Sequence, residues 1–447
     1  MRIRDRLRCT GSRPVHGTVE AYGAEPPGVS RAARSLQGEA PPIMNTRRTA
    51  AVLAALAALG AATPAVAAPS PSPSAAVPDG LYGSADPTYD GVWRQSLALI
   101  AQIESDVKPA AKAVDWLLGQ QCENGAFAAF RAEPAKACDA KVMVDTNSTA
   151  AAAQALSLAG DGDHMDVAVK AAQWLKSVQN KDGGWGYAPG GPSDANSTSL
   201  VIGALNAIGQ DPGTAVTDGK SPYDALRELA LPCADGGAFA YQPDDKGELT
   251  ANADATAAAV VGLKGMSMES AKTAADTDLA CADAARPDPD QAAANGASYL
   301  AETVREDGYL KSALAGAEDQ PDYGNTADAV VALAVTGGPK AARKPLTWLE
   351  RNSADWAKQS GPAAYAQLIL AAHATGTDPR DFGGTDLVKQ LNATGPAPQT
   401  TEQAAAPAEK SEDDSSSFDV WWIVGAGLAA GIGIGFLLSG RNKRRQP

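Results

Sequence analysis

The chain has 447 residues, with 38 Lys and Arg against 52 Asp and Glu and few aromatic residues. Its alanine-rich composition suits closely packed helices and leaves room for one large domain with accessory segments. Between residues 68 and 440, 25 cations stand against 48 acids, a balance that argues against nucleic acid and anionic surfaces as partners, or that serves solubility alone.

Residues 1–43 are arginine-rich without hydrophobic pattern and read as a misassigned N-terminal extension. Met44 opens an apparent secretory signal over 44–67: Arg47 and Arg48, an apolar run, and Ala65-Val66-Ala67 as a small-residue cleavage site. Residues 68–86 form a flexible lead. Twelve helices are expected between 87 and 394, near 91–104, 109–120, 147–159, 165–179, 196–208, 222–230, 253–267, 290–304, 325–336, 341–357, 361–374 and 383–392. From the third onward the odd-numbered ones are small and apolar on every side, so they are covered on every side, while the even-numbered ones carry a single apolar stripe.

Four segments share one register. A threonine stands seven residues before a leucine in Thr149/Leu156, Thr198/Leu205, Thr256/Leu263 and Thr326/Leu333, and Asp145, Asp194, Asn252 or Asp322 lies four residues before the threonine. Upstream of each comes a glycine-aromatic turn carrying Phe127, Trp185, Phe239 or Tyr309. One helical hairpin per repeat describes an array whose members bury each other's faces. The fold class expected is therefore all-α, an α6/α6 toroid with inner and outer rings.

The export signal suits disulfides for the four cysteines beyond it. Of three possible connectivities, Cys122–Cys138 and Cys233–Cys281 is preferred, contributing about 3 and about 4 kcal/mol by chain entropy. Residues 395–417 read as a disordered linker with an acidic end. Residues 418–440 then hold an uncharged apolar run (420–438) long enough to span a bilayer, and the basic tail 441–447 marks the cytoplasmic side. Gly427, Gly431 and Gly435 share one face of that run, a spacing that permits helix pairing. The expected placement is type I-like in the cell membrane, with the toroid outside.

The segment Gln179-x-x-x-Gly183-x-Trp185 resembles the repeat core of squalene and oxidosqualene cyclases, and DGGWGYAPGG followed by NSTSLVIGAL resembles the repeat of protein prenyltransferase β subunits. The chain thus resembles the terpenoid cyclase and prenyltransferase toroids, as a membrane-anchored surface member of actinobacterial type. That resemblance implies an α/α toroid and, in cyclases, a general acid in a DxDDTA motif. Here Asn252-Ala253-Asp254-Ala255-Thr256-Ala257 keeps Asp254, Thr256 and Ala257 but neither flanking acid. Asp254 is the single catalytic candidate. The zinc set of prenyltransferases is not found: His164 lies in an acidic loop and His373 near a helix end, neither placed with the cysteines as ligands. Gln121-Cys122-Glu123 is no thioester signature. Asp276, Asp278, Asp283, Asp288 and Asp290 lack the spacing of a known calcium loop and read as a solvated acidic loop.

The Asp and Asn groups before the inner helices look like N-caps, and the turn aromatics look structural. Location nevertheless gathers Asp145, Asn147, Asp194, Asn196, Asn252 and Asp254 at one mouth of the barrel, together with Asp322 and Asn325. Tyr187, Tyr241 and Tyr323 stand nearby, and such groups around an apolar cavity make a ligand site. The reading is an exported, membrane-tethered, non-catalytic binding toroid with no cofactor or metal, which captures an apolar or corrinoid-like ligand for a membrane transporter. Its partners are the membrane, through its own helix, and that ligand. The alternatives are a divergent cyclase or prenyltransferase, and a structural envelope protein.

Overall fold

The structure is a computed structural model that describes residues 77–400 apart from 161, 269–270, 285 and 314–318. The extension, the signal segment, the apolar run 420–438 and the basic tail lie outside the described residues. Among the described residues no helix is long and apolar enough to cross a membrane.

The described residues form twelve α-helices, beginning with α1 (Gly91–Glu104), α2 (Ala111–Gly119), α3 (Thr146–Ala159), α4 (Gly162–Ser177), α5 (Ala195–Ala207) and α6 (Pro222–Glu228). The second half holds α7 (Ala253–Leu263), α8 (Pro289–Thr303), α9 (Tyr323–Asn352), α10 (Ala354–Ser360), α11 (Pro362–Thr375) and α12 (Leu387–Asn392). Helices α1, α3, α5, α7, α9 and α11 each pack against the next, and α11 returns to α1. This closed inner ring makes the domain an all-α toroid. Several of its helices, α3, α7 and α11 above all, are rich in alanine, because two helix neighbours and an outer layer crowd each one and small side chains let the backbones approach. Ala150, Ala151, Ala152, Ala153 and Ala155 of α3 are all fully buried.

Most expected helices lie within two or three residues of their observed bounds. Helix α7 stops at Leu263 rather than continuing to 267. The two helices expected at 325–336 and 341–357 form one bent element: Gly338, at φ 78°, breaks the helical path inside α9, and Pro339 starts the outer arm. That arm ends at the buried Ser353, and α10 is a separate short helix. The last helix begins only at Leu387, because residues 382–385 form a turn closed by Phe382 and Thr385.

Two short antiparallel pairings accompany the helices, β1 (Phe127–Ala128) with β2 (Val144–Asp145) and β3 (Leu310–Lys311) with β4 (Pro321–Asp322). They reveal what the repeat threonine does. The N–H of Phe127, Trp185, Phe239 and Leu310 donates to the hydroxyl of Thr149, Thr198, Thr256 and Thr326 at 2.9, 3.0, 2.9 and 3.0 Å. In three repeats the same hydroxyl donates onward to the carbonyl of Asp145, Asn252 or Asp322, the residue that caps the helix. The fourth turn is therefore Gly308-Tyr309-Leu310, in register with Gly125-Ala126-Phe127, Gly183-Gly184-Trp185 and Gly237-Ala238-Phe239. The buried position of this turn is Leu310, 1% exposed, while Tyr309 lies on Trp348, ring centroids 4.7 Å apart. Leucine breaks the aromatic pattern, and the apolar site it fills takes either side chain. Gly183 shows why the turn needs glycine: at φ 88° a Cβ would also stand 2.3 Å from the Ser221 carbonyl oxygen.

Packing extends beyond the boundaries read from composition. Leu81 and Tyr82 of the expected flexible lead are buried, and the Tyr82 N–H donates to Gln95 Oε1 at 2.9 Å. The Tyr82 hydroxyl donates to Gln102 Oε1 at 3.0 Å, and burial pushes that phenol up to about 12. At the other end, Gln399 of the expected linker donates from N–H to the Lys108 carbonyl and from Nε2 to the Pro109 carbonyl. Chain ends rich in Pro, Ala and Gly thus still close the seam between the first and last helices. The disulfides are Cys122–Cys138 and Cys233–Cys281, with Cα atoms 5.6 and 5.7 Å apart, as preferred from spacing.

A threonine hydroxyl that serves a buried N–H has a measurable cost of removal. Thr198→Val leaves the Trp185 N–H unpaired and is expected to destabilise by about 1–3 kcal/mol, whereas Thr198→Ser loses a methyl and costs about 1 kcal/mol. Urea unfolding followed by Trp fluorescence checks this, and a valine variant as stable as the serine one would contradict it.

Candidate active site in the central chamber

Four of the inner helices, α3, α5, α7 and α9, begin with a capping side chain. Asp145, Asp194, Asn252 and Asp322 accept the N–H of Ser148, Ser197, Ala255 and Asn325 at 2.7, 2.7, 2.9 and 3.0 Å. Their oxygens are thereby used on first-turn amides, as expected of caps. These four residues are not among those lining the chamber.

Inside the ring lies a chamber of about 290 Å³. Three expected residues line it: Asn147, Asn196 and Asp254, each two residues past its cap and therefore at one level on three successive helices. About four residues, or one turn, further in come Asp328 of α9 and Gln367 of α11, both six past the helix-capping residue. Deeper still the wall is largely apolar, with Val261, Val331 and Leu370.

Asp254 and Asp328 form the electrostatic centre. Asn196 Nδ2 donates to Asp254 Oδ2 at 2.7 Å, and Gln367 Nε2 donates to Asp328 Oδ2 at 3.4 Å. Burial raises the Asp254 carboxyl above its ordinary value; the Asn196 bond opposes the rise and the nearby Asp322 adds to it. Asp328 is pushed up to about 7, first by burial and then by the charge of Asp254, against the Gln367 bond. The surface Asp328 retains faces the chamber. Two carboxyls facing one enclosed space resist ionising together, since both charges there would be alike and poorly solvated. Asn147 Oδ1, Asn196 Oδ1 and Ser199 Oγ are buried atoms on chamber-lining residues that find no hydrogen-bond partner among the described residues.

The other expected site residues lie at the rim or apart from it. Tyr187 and Tyr241 are 51% and 39% exposed, and their carbonyls accept the N–H of Thr146 and Ala195 at 2.8 and 3.0 Å, stitching each turn to the preceding repeat's helix. Burial and then the Asp194 charge raise the Tyr241 phenol, which also hydrogen-bonds to that carboxylate. Tyr323 stacks on Trp356 with centroids 5.4 Å apart, and Asn325 Nδ2 donates to its own cap, Asp322 Oδ2, at 2.9 Å. The acids read as a solvated loop have separate partners: Asp276 Oδ1 accepts the Lys340 N–H, Asp283 the Cys233 N–H, Asp288 caps α8, and Asp290 pairs with Lys264. Asp278 approaches Lys340 Nζ at 3.4 Å. No group of three His, Cys, Asp or Glu suited to a metal gathers among the described residues. His373 Nε2 lies 3.0 Å from Glu104 Oε2 at the seam between α11 and α1.

Asp328, Gln367, Gln154 and Ser199 belong to the chamber and were not singled out from sequence. A signal existed: each of Asp328, Gln367 and Gln154 is a carboxyl or amide set among small and apolar residues in the middle of an inner helix. A helix covered on all sides can carry such a group only where a cavity or a partner receives it.

Residues 94–323 match the sequence model of the squalene-hopene cyclase C-terminal domain. Drimenyl diphosphate synthase of Streptantibioticus cattleyicolor is 38% identical over 78 residues, which are 17% of this chain and only 13% of that relative's length. Among solved structures, a protein from Actinoplanes is 15% identical with a TM-score of 0.32, covering 63% of this chain and 100% of its own. The type II terpene cyclase MstE from Scytonema is 13% identical with a TM-score of 0.30, covering 63% and 98%. A sugar epimerase from a ruminal bacterium is 13% identical with a TM-score of 0.46, covering 67% and 93%.

The raised carboxyl makes stability depend on pH with a definite sign. Unfolded, Asp328 titrates near the ordinary 3.8; folded, it keeps its proton to about 7. Between those values the folded chain binds more protons than the unfolded one, so this group's contribution falls as pH rises from about 4 to about 7 and is level beyond. Asp328→Asn is expected to stabilise the protein at pH 8 relative to wild type and to change little at pH 4, as urea unfolding at the two pH values will measure.

Proposed function

The chain belongs to the squalene-hopene cyclase C-terminal domain family, and from that premise we propose that its chamber performs acid-initiated chemistry on a neutral isoprenoid, as a divergent terpenoid cyclase. One observation carries the reading: a carboxylic acid that keeps its proton to about pH 7 faces a largely apolar chamber. Asp254, held by Asn196, is the carboxylate of the pair, and Asp328 is the acid. Proton transfer from Asp328 to a terminal double bond leaves a tertiary cation, which closes on a neighbouring double bond. Loss of a proton from the adjacent carbon returns it to the acid pair, so the net change is an isomerisation. Gln367 stabilises the Asp328 carboxylate formed in the first step. Among the described residues no Lys or Arg lines the chamber, which favours a neutral substrate over a prenyl diphosphate, whose charge would lie unpaired there.

A second reading is capture without turnover, for handing a ligand to a membrane partner. It draws support from the missing flanking acids at Asn252 and Ala255 and from the separation of the two acids onto different helices. A chamber of about 290 Å³ with a largely apolar wall suits an apolar ligand. Both readings keep the domain outside the cell, a placement that the two disulfides favour, with residues 420–438 as its membrane tether.

The test incubates the full chain with squalene and shorter neutral polyenes in deuterated buffer and analyses products by mass spectrometry. The expected product is cyclic and carries one solvent-derived deuterium on carbon. Asp328→Asn is expected to lower kcat/KM by about 10²–10⁴-fold, and wild-type turnover to decline above about pH 7. Saturable polyene binding with no product in any of these assays would replace catalysis by capture.

A further inference from the structure

The connection between α7 and α8 runs under the ring at the end opposite the caps. Met266, Ser267, Met268 and Ala271 line the chamber there. The segment is held by the inner helices themselves. Gln154, 1% exposed in the alanine-rich α3, accepts the Met268 N–H on Oε1 at 2.9 Å. Thr273 Oγ1 donates to the Ala374 carbonyl of α11 at 2.6 Å. The N–H groups of Ala274 and Thr277 donate to the Ala334 and Gly337 carbonyls of α9 at 2.9 and 3.2 Å. These acceptors lie near helix ends or at the α9 bend, where carbonyls lack intrahelical partners.

Glycines on the inner helices admit the strap closely. A Cβ at Gly203 would stand 3.2 Å from Ser267 Cα, and one at Gly338 would stand 2.7 Å from the Asp276 nitrogen. Further along, Cys281 is bonded to Cys233, and Asn295 both accepts from the Ala282 N–H and donates to its carbonyl at 3.0 and 3.1 Å. The floor is thus tied to α3, α9 and α11 as well as to its own hairpin. Against this rigid backbone the two methionine side chains are the adjustable part, unbranched and able to fill or vacate the end of an apolar space.

We propose that Met266 and Met268 form the chamber floor that determines how long a ligand is accepted. The proposal rests on the chamber being a site for a neutral isoprenoid chain, lying with its polar or reacting end toward Asp254 and Asp328 and its far end on the methionines. Shortening a floor side chain deepens the chamber; enlarging it makes the chamber shallower. A difference of this kind in an apolar pocket is worth about tenfold or more in relative affinity.

The probes are geraniol, farnesol and geranylgeraniol, each one prenyl unit longer than the last, with the full chain in detergent and Kd and Tm shift as readouts. Wild type is expected to prefer one length. Met268→Ala and Met266→Ala are expected to move that preference toward the longer alcohol by about tenfold in relative Kd, and Met268→Phe toward the shorter. Met143→Ala, at a side chain 85% exposed, leaves the profile unchanged. Should the phenylalanine variant fail to fold, the two alanine variants decide the matter. Wild-type binding with the same preferred length in every folded variant overturns the floor assignment and leaves the chamber reading standing. If no alcohol shifts the wild-type Tm or binds, the chamber reading itself fails and the floor with it.

Discussion

In four successive repeats a single buried threonine hydroxyl joins three pieces of chain: its own inner helix, the turn before it, and in three of them the carbonyl of the capping residue. All four threonines are fully buried, so each bond is made away from water and its loss leaves a polar group with no alternative. The bond sets where the helix begins relative to the turn. Because the start is the same each time, residues two beyond the cap stand at one level around the ring. Asn147, Asn196 and Asp254 meet at the chamber for that reason, although 49 and 58 residues separate successive members in sequence. The catalytic candidate is a product of repeat register before it is a product of any local motif.

The chamber follows from the composition of the same helices. Alanine and glycine allow the six backbones to pack in a ring, and side chains so short cannot reach its axis. What remains is a space with few polar groups, in which a carboxyl is costly to ionise. Two acids of the chamber, Asp254 and Asp328, stand on neighbouring helices of that ring. Burial raises both, the charge of Asp254 raises Asp328 further, and the amides opposite them, Asn196 and Gln367, oppose the rise. The unpartnered oxygens of Asn147, Asn196 and Ser199 add a polar margin to an otherwise greasy wall. Such groups destabilise the empty fold and gain from a ligand that offers a hydroxyl.

Closure of the ring depends on parts with no repeat character. Tyr82 and Gln399, from opposite ends of the domain, secure the seam beside α1, and the Glu104–His373 contact bridges α1 to α11. The strap between α7 and α8 closes the floor. In a one-dimensional array the end repeats need caps; in a closed ring the seam and the open faces need them instead, and irregular segments supply them here.

Much was decided by residues acting over short distances. Helix positions follow from apolar periodicity, the caps from Asp145, Asp194, Asn252 and Asp322, and the disulfide pairing from the spacing of four cysteines. The helices and caps were legible because each depends on neighbours a few residues away or on a repeated register, and the disulfides because four cysteines allow only three pairings. The failures have the opposite character. Tyr309 matched the aromatic pattern, yet Leu310 fills the buried place, because hydrogen-bond register and not side-chain type selects it. Asp328 and Gln367 carried no motif; only the ring's closure brings them opposite Asp254 and Asn196, in a space whose dielectric makes a carboxyl an acid near neutral pH. Met266 and Met268 stand at and just past the end of the helix expected over 253–267 and carried no pattern of their own. Amino-acid order by itself determined the helices, their caps and their repetition, which are local free-energy choices. Tertiary structure alone decided which polar residues share the enclosed space and what closes its floor, since burial and mutual charge exist only once distant segments exclude water together.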